Sequence, residues 1–434
     1  MKDNKTFWAL DWLRFSLAVY LVIFHTQSGY TTPGSLLGSF LGLGNMVTGI
    51  FFVLSGFLLT HVYLGNDGKL QFNKQTFWIA RFTTLYPLQI IGLCVALPFT
   101  LLQIFHHGTV FVPADVFYRA ERPLDTTELI FGFASHLLLL HAWNPFYLIL
   151  NIPSWSLSAL LFFYVIFPYL APRLYKHGRP LFLLAILWMI FALPGLIAQL
   201  LDHNNLMTDG LLHHNPILRL PLFLAGIPLY SAYRKYSSGF SRISSTVEKQ
   251  GCMLVIMGTV IAAVLIKQQY PGVQLHILRN GFYFPAALAI VWLAALAKPS
   301  ASLLSNQWGA RLGKASLSIF ILHAPIFQIL VKLEQVAQVL LTNNLADASV
   351  GDLLGMSREI LPPLPVYLLN VVLIVGGSIL VQERLVTPLQ MRCRNYVNTL
   401  LNTPRKPAES PLPMKVGYIR QEWSDEPKLK DTAH

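Results

Sequence analysis

The chain alternates between long apolar segments and short polar loops. A helix of about 20 apolar residues is long enough to cross the ~30 Å hydrocarbon core of a bilayer. Ten segments fit this description, at 7–28, 41–64, 82–105, 155–172, 181–201, 216–233, 251–269, 281–298, 315–333 and 364–384. The alternating pattern of a membrane β-barrel is missing from the sequence. The pattern therefore predicts an all-α integral membrane protein with about ten transmembrane helices.

The positive charges of the loops predict the orientation of these helices. If the N-terminus is cytosolic, 24 of the 32 Lys and Arg residues fall in inward-facing segments. Short loops rich in Lys and Arg stay cytosolic, so we expect both termini in the cytosol. The net charge of +12 then reflects topology, and we expect no nucleic-acid partner.

One more apolar segment, 128–147, does not fit the ten-helix count. A full crossing there would place Arg173, Lys176 and Arg179 on the outer side, against the positive-inside rule. We interpret the segment as a re-entrant or interfacial element on the outer side, and an eleventh span is the alternative.

Composition agrees with a membrane protein. Hydrophobic residues make up 54% of the chain and charged residues 12%, about half the charge of a soluble domain. The first apolar segment carries Asp11 and Arg14, which favours a membrane span over a signal peptide. We divide the chain into a membrane domain, 1–390, and a cytosolic tail, 391–434, whose composition predicts disorder.

The outer loops are rich in histidine, and the chain has three cysteines. The histidines lie at 106, 107, 203, 213, 214 and 276, and the cysteines at 94, 252 and 393. Their spacing is not that of a metal site, so we interpret them as interfacial and packing residues and expect no metal cofactor.

Ionisable residues inside a membrane are costly and mark functional sites. Arg14 and His25 are eleven residues apart in the first span, so they share one helix face about 16 Å apart. Asp11 lies one turn before Arg14 and can pair with it. Histidine can act as a general base near neutral pH, so His25 is a candidate catalytic residue. The alternatives are that Asp11 and Arg14 anchor the helix at the membrane interface and that His25 has a packing role.

Two later residues are further candidates. Arg81 begins the third span at the predicted cytosolic face, where an arginine can bind a phosphate group. The alternative is that Arg81 only reflects the enrichment of Lys and Arg on the cytosolic side. His323 precedes Pro325 in the ninth span, and a proline frees a backbone carbonyl that can line a membrane site. A structural histidine is the alternative there.

Six motifs follow one another along the chain: Leu10-Asp11-Trp12-Leu13-Arg14 with His25, Phe51-Phe52-Val53-Leu54-Ser55-Gly56-Phe57, Phe77-Trp78 with Arg81 and Pro87, Ser154-Trp155-Ser156-Leu157-Ser158, Asn215-Pro216 with Arg219, and Leu312-Gly313-Lys314-Ala315-Ser316 with His323. Together and in this order they resemble the membrane-bound acyltransferase 3 family, whose members acylate bacterial surface sugars. The resemblance implies a multi-pass protein of the bacterial inner membrane that passes an acyl group from cytosolic acyl-CoA to a glycan or lipid-linked sugar.

The resemblance also implies roles for individual residues. His25 would be the catalytic histidine, as base or transient acyl carrier, with Arg14 supporting the donor or the oxyanion. Arg81, Ser55 and His323 would contact the donor, acetyl-CoA in the simplest case. The acceptor side would involve Trp155, Ser156, Asp11 and Arg219.

The chain departs from the family pattern at three positions. Thr84 stands where a second arginine is usual, and Leu160 and Leu222 stand where glutamates are usual. These departures leave two other hypotheses open, a transporter or flippase and a catalytically silent scaffold of a glycan-assembly complex. The sequence does not indicate the oligomeric state.

Overall fold

The computed structural model describes residues 7–32, 34–116, 120–236, 242–270, 276–297, 303–341 and 362–400. The fold is a helical bundle with one two-stranded antiparallel sheet, β1 (Phe111–Pro113) with β2 (Glu121–Pro123). The helices are α1 (Trp8–Thr26), α2 (Leu36–Leu41), α3 (Gly44–Tyr63), α4 (Lys74–His107), α5 (Thr126–Leu137), α6 (Trp155–Lys176), α7 (Pro180–Leu200), α8 (Leu206–His214), α9 (Pro216–Tyr236), α10 (Arg242–Gln269), α11 (Phe284–Leu296), α12 (Leu303–Leu341), α13 (Leu364–Val381) and α14 (Thr387–Leu400).

Nine helices in the described ranges are long and apolar enough to cross a membrane, which confirms the predicted all-α membrane class. They coincide with every predicted span except 216–233. That segment forms α9, a 21-residue helix with Arg219 and several prolines in its sequence, and fourteen of its residues are buried. The predicted span 216–233 is therefore a helix that packs largely within the bundle.

The segment after the sheet forms a short helix, as expected for an element that does not cross the membrane. α5 has 12 residues, about 18 Å at 1.5 Å per residue. Its start is fixed by a capping box, in which Asp125 accepts from the Glu128 amide and Glu128 accepts from the Asp125 amide. Ile130 and Phe131 are exposed, an apolar surface suited to the membrane interface. This geometry agrees with a re-entrant or interfacial element.

α1 and α12 lie side by side and run in the same direction. Near their starts, a Cβ on Gly309 would lie 2.7 Å from the Trp12 indole nitrogen, and a Cβ on Gly313 would lie 2.9 Å from the Asp11 backbone. Toward their other ends, His25 contacts His323. Small residues let membrane helices approach this closely, so the glycines set the spacing between the two helices.

α3 and α9 form a second close pair, also parallel. A Cβ on Gly56 would lie 1.9 Å from the Phe223 carbonyl oxygen, and a Cβ on Gly226 would lie 2.2 Å from the Val53 carbonyl oxygen. Farther along, His61 contacts the Tyr230 hydroxyl at 3.0 Å. Backbones touch at the crossing, and only glycine fits there.

The C-terminal part of the described chain is helical beyond the predicted domain boundary. A π-helical turn, Gln382–Val386, joins α13 to α14, and α14 runs to Leu400. The predicted boundary at residue 390 thus lies inside a helix. Residues 401–434 lie outside the described residues, and the prediction of a disordered tail stays a prediction.

Replacing Gly56 by alanine should destabilise the bundle, because the new methyl group would overlap the Phe223 carbonyl. Overpacking of this kind costs about 1–3 kcal/mol or more. We expect a lower melting temperature for the purified protein in detergent, measured by intrinsic fluorescence. Gly258→Ala is the matched control, since a Cβ there meets open space. Equal melting temperatures for the two variants would contradict the proposed backbone contact.

The Arg122–Glu128 ion pair should make the start of α5 sensitive to acid. Two hydrogen bonds from Arg122, of 2.9 and 2.8 Å, hold the pKa of Glu128 below its usual value. A depressed carboxyl pKa stabilises the folded helix at neutral pH, and the effect is lost as the pH falls through the folded pKa. Because the pair is partly exposed to solvent, the contribution should be below ~1 kcal/mol.

Hydrogen exchange of the first α5 amides measures this effect. At neutral pH the Glu128→Gln variant should exchange faster than the wild type, and the difference should shrink at acid pH. Glu121→Gln, at an exposed position on β2, is the control. A difference between wild type and Glu128→Gln that stays constant with pH would count against the ion pair.

Candidate active site

His25 and His323 form a stacked pair between α1 and α12. Nδ1 of His25 lies 3.1 Å from Nε2 of His323, and the ring centroids are 4.8 Å apart. The His25 side chain is exposed, whereas His323 is fully buried. His25 can therefore meet a ligand, with His323 packed behind it.

The hydrogen bonds of the pair assign the position of each proton. Nδ1 of His323 lies 2.6 Å from the Phe320 carbonyl oxygen, and Nδ1 of His25 lies 2.9 Å from the Leu21 carbonyl oxygen. Carbonyl oxygens only accept, so both Nδ1 atoms carry hydrogen and Nε2 of the neutral His323 accepts. Nε2 of the neutral His25 then keeps its lone pair, as a general base requires.

Arg14 is tied to both helices of the same pair. Its guanidinium donates to the Gly313 carbonyl oxygen at 2.5 Å and lies 3.8 Å from the Asp11 carboxylate. The predicted Asp11–Arg14 pair is therefore present, and both side chains are mostly buried. The helical rise separates Arg14 from His25 by about 16 Å, so the two residues lie at different depths.

Arg81 lies in a cluster of aromatic residues near Arg14. It donates to the Tyr63 hydroxyl at 2.6 Å, and its guanidinium lies 5.9 Å from the ring centroid of Tyr164. The Tyr164 side chain lies near that of Ser55 and within electrostatic range of Arg14. The predicted donor residues Arg81 and Ser55 thus share one tyrosine, which also links them to Arg14.

Trp155, Ser156 and Arg219 lie where α6, α8 and α9 meet. The Trp155 ring centroid is 5.3 Å from that of His213, and Nε of Arg219 donates to the His213 carbonyl oxygen at 2.7 Å. Ser156 donates to the Pro153 carbonyl oxygen at 3.0 Å. The His213 side chain also lies within electrostatic range of His25, which places this group near the histidine pair.

The predicted site residues therefore form three neighbouring groups. Asp11 and Arg14 approach the cluster of Arg81 and Ser55 through Tyr164. His25 and His323 form the middle group. Trp155, Ser156 and Arg219 form the third, and His213 connects it to His25.

Two buried histidines were missed by the sequence analysis. His136 and His141 stack with ring centroids 4.0 Å apart, and one ring nitrogen of each is buried without a hydrogen-bond partner. Both lie in the apolar segment 128–147, where their polarity was the available signal. Within the described ranges, no group of three or more His, Cys, Asp or Glu side chains is arranged to hold a metal ion.

The three departures from the family pattern have different surroundings. Leu160 and Leu222 are buried among apolar side chains of the core, which gives the missing glutamates no polar environment. Thr84 instead lies 3.4 Å from the guanidinium of Arg394 on α14. Sequence analysis did not select Arg394, because it had assigned that residue to the tail.

Comparisons with known proteins identify the family of the chain. Residues 7–383 match the acyltransferase 3 family model, which is described as an acyltransferase domain. Over 138 residues the chain is 32% identical to the acyltransferase MdmB of Streptomyces mycarofaciens, a match that covers 31% of this chain and 30% of that protein.

Longer matches relate the chain to O-acetyltransferases. The O-acetyltransferase OatA of Staphylococcus aureus (strain NCTC 8325 / PS 47) is 24% identical over 327 residues, which are 73% of this chain and 50% of that protein. The peptidoglycan O-acetyltransferase OatA of Listeria monocytogenes is 25% identical over 356 residues, 76% of this chain and 51% of that protein. The chain thus spans about half the length of these two relatives.

No solved structure matches the chain significantly. The family match nevertheless runs from the start of the first membrane helix into the turn after α13. Its range includes the histidine pair, Arg14 and Arg81. The chain therefore belongs to the acyltransferase 3 family.

Proposed function

We propose that the protein is a membrane O-acyltransferase that moves an acyl group from cytosolic acyl-CoA to a hydroxyl of a glycan outside the bacterial inner membrane. The observation that carries this proposal is the histidine pair, which leaves Nε2 of His25 free on an exposed ring. Membership of the family and the names of its relatives support the reaction class.

The donor would enter from the side of Arg81. The guanidinium of Arg81 can bind a phosphate of coenzyme A, and Ser55, Tyr164 and Arg14 extend this polar surface toward α1. Arg14 is too far from His25, at about 16 Å, to contact an oxyanion formed there, so we assign it to donor positioning. The pantetheine arm of the donor would bridge the distance. Acetyl is the simplest acyl group, in keeping with the acetyltransferase relatives.

The chemistry needs one base and one reactive carbonyl. Nε2 of His25 would take the proton of the acceptor hydroxyl while the hydroxyl oxygen attacks the thioester carbon. Collapse of the tetrahedral intermediate breaks the carbon–sulfur bond, and the thiolate leaves with the proton from His25. In the alternative order of steps, Nε2 of His25 attacks the thioester carbon first and carries the acyl group. Both routes require an unprotonated Nε2.

The acceptor would approach from the side of Trp155, His213 and Arg219. Trp155 and Arg219 are almost fully buried, so we assign them to the wall of the acceptor side, with His213 between them and His25. A glycan or lipid-linked sugar fits the peptidoglycan O-acetyltransferase relative from Listeria. The cytosolic orientation of the donor side follows from the loop charges.

Replacing His25 by alanine should abolish acyl transfer. General-base catalysis contributes about 10²–10⁴-fold in rate, so coenzyme A release from acetyl-CoA should fall at least ~100-fold. The assay uses protein in nanodiscs with envelope glycan as acceptor. His177→Ala, at an exposed loop position, should retain full activity.

The same assay separates the competing hypotheses. Acyl transfer that persists in His25→Ala would overturn the catalytic role of this histidine. Wild-type protein with no turnover and no saturable binding of acyl-CoA would instead favour the transporter or scaffold hypothesis.

Replacing His323 by phenylalanine should lower kcat with little change in KM for the donor. Phenylalanine keeps much of the ring volume but removes the Nε2 acceptor that orients His25, so we expect a roughly 10-fold or larger loss. Steady-state kinetics measures the effect. Phe320→Leu changes a ring that packs near His323 without removing that acceptor, and is the control. A change confined to KM would assign His323 to donor binding instead.

A further inference from the structure

The last described helix docks against the start of the third membrane helix. Nε2 of Gln390 on α14 donates to the Thr84 carbonyl oxygen on α4 at 2.7 Å. One turn later, Arg394 donates to the Ala80 carbonyl oxygen at 3.3 Å. Both contacts lie beyond residue 383, where the family match ends. α14 is therefore part of the surface next to Arg81, although the family match does not include it.

Arg394 places a second guanidinium at this position. It is partly buried and lies 3.4 Å from the hydroxyl oxygens of Thr83 and Thr84. These are long, neutral contacts for a guanidinium. Among the described residues no carboxylate lies within ion-pair distance of Arg394, and its hydrogen bond to the Ala80 carbonyl oxygen places it beside Arg81, the next residue of α4.

Arg81 has the same imbalance. One arm of its guanidinium donates to the Tyr63 hydroxyl, but its Nε is buried without a hydrogen-bond partner. The described residues offer it no carboxylate either. Holding two guanidinium groups with unused donors close together costs free energy, because their like charges repel. An anion between them would offset that repulsion. A phosphate group accepts several charge-assisted hydrogen bonds and would remove this cost.

We propose that Arg394 supplies the second arginine of the phosphate site for the acyl donor, acting together with Arg81. The ligand class is a phosphate ester or diphosphate, such as those of coenzyme A. α14 thus places a guanidinium beside Thr84, one turn after Arg81 on α4. The side chain of Thr84 itself is uncharged. This inference rests on the proposed function, because it assumes a phosphate-bearing donor at Arg81.

Equilibrium binding of coenzyme A tests the proposal without requiring turnover. The protein is kept in maltoside detergent, which carries no phosphate, and titrated by calorimetry. Arg394→Gln should weaken binding about 10-fold or more, as expected for the loss of a charge-assisted contact. Arg392→Gln removes an exposed arginine two residues away on the same helix and should bind like the wild type.

A second variant distinguishes ligand binding from helix docking. Thr84→Arg in the Arg394→Gln background places a guanidinium on α4 at the position that Arg394 reaches, and it should restore much of the affinity. If Arg394 only holds α14 in place, the double variant should bind no better than Arg394→Gln, and that result would overturn the proposal. Dephospho-coenzyme A shows which phosphate is bound, since a contact to the 3′-phosphate predicts that Arg394→Gln has little effect on this ligand.

The outcomes separate this inference from the proposed function. Equal affinities of wild type and Arg394→Gln for coenzyme A would overturn only the role of Arg394 and would leave the proposed function standing. An affinity loss that appears only in nanodiscs of anionic lipid, and not in detergent, would assign Arg394 to a lipid headgroup and also overturn it. Wild-type protein that binds coenzyme A but never transfers an acyl group would overturn the enzyme proposal and leave the phosphate site in place. Wild-type protein that binds no coenzyme A would overturn both.

Discussion

The close, parallel contact of α1 with α12 is the constraint on which the candidate site depends. Glycines at 309 and 313 let the two backbones meet near Trp12 and Asp11. Because the helices run in the same direction, residues that lie the same number of positions beyond this contact on each helix are at the same height in the bundle. Eleven residues along α1 lead from Arg14 to His25, and ten along α12 lead from Gly313 to His323. A looser or antiparallel pair would separate the two histidines and remove the acceptor that fixes the His25 proton.

Other helices complete a polar path around this pair. α3, α4 and α6 contribute Ser55, Arg81 and Tyr164 below it, and α6, α8 and α9 contribute Trp155, His213 and Arg219 on the other side. Polar groups in an apolar medium need partners at every depth. Arg14, Arg219 and both histidines of the pair bond to backbone carbonyl oxygens, and Arg81 bonds to a tyrosine hydroxyl.

Much of this arrangement could be predicted from the sequence, and the reasons are physical. The thickness of the bilayer requires about 20 apolar residues for each crossing helix. Apolar segments of this length therefore predicted most membrane helices close to their observed positions. Arg14 and Asp11 share a helix face, and their pairing follows from helical geometry. The contact of His25 with His323 spans 298 residues and depends on how helices pack, which the spacing along the chain does not encode. Arg394 was missed for a related reason, since a polar amphipathic helix resembles a tail until its docking partner is known.

The two parallel helix pairs also determine which segments cross the membrane. Each crossing reverses the direction of the chain, so parallel helices must be separated by an even number of steps in the sequence of crossings. α3 and α9 are parallel if α4, α6 and α7 cross between them and α5 does not. With α10 and α11 as further crossings, α1 and α12 are parallel if α9 also crosses, despite its arginine and prolines. The undescribed stretches between α1 and α12 are at most five residues long, too short to add another. Helix direction thus agrees with nine crossings from α1 to α12, with α9 among them.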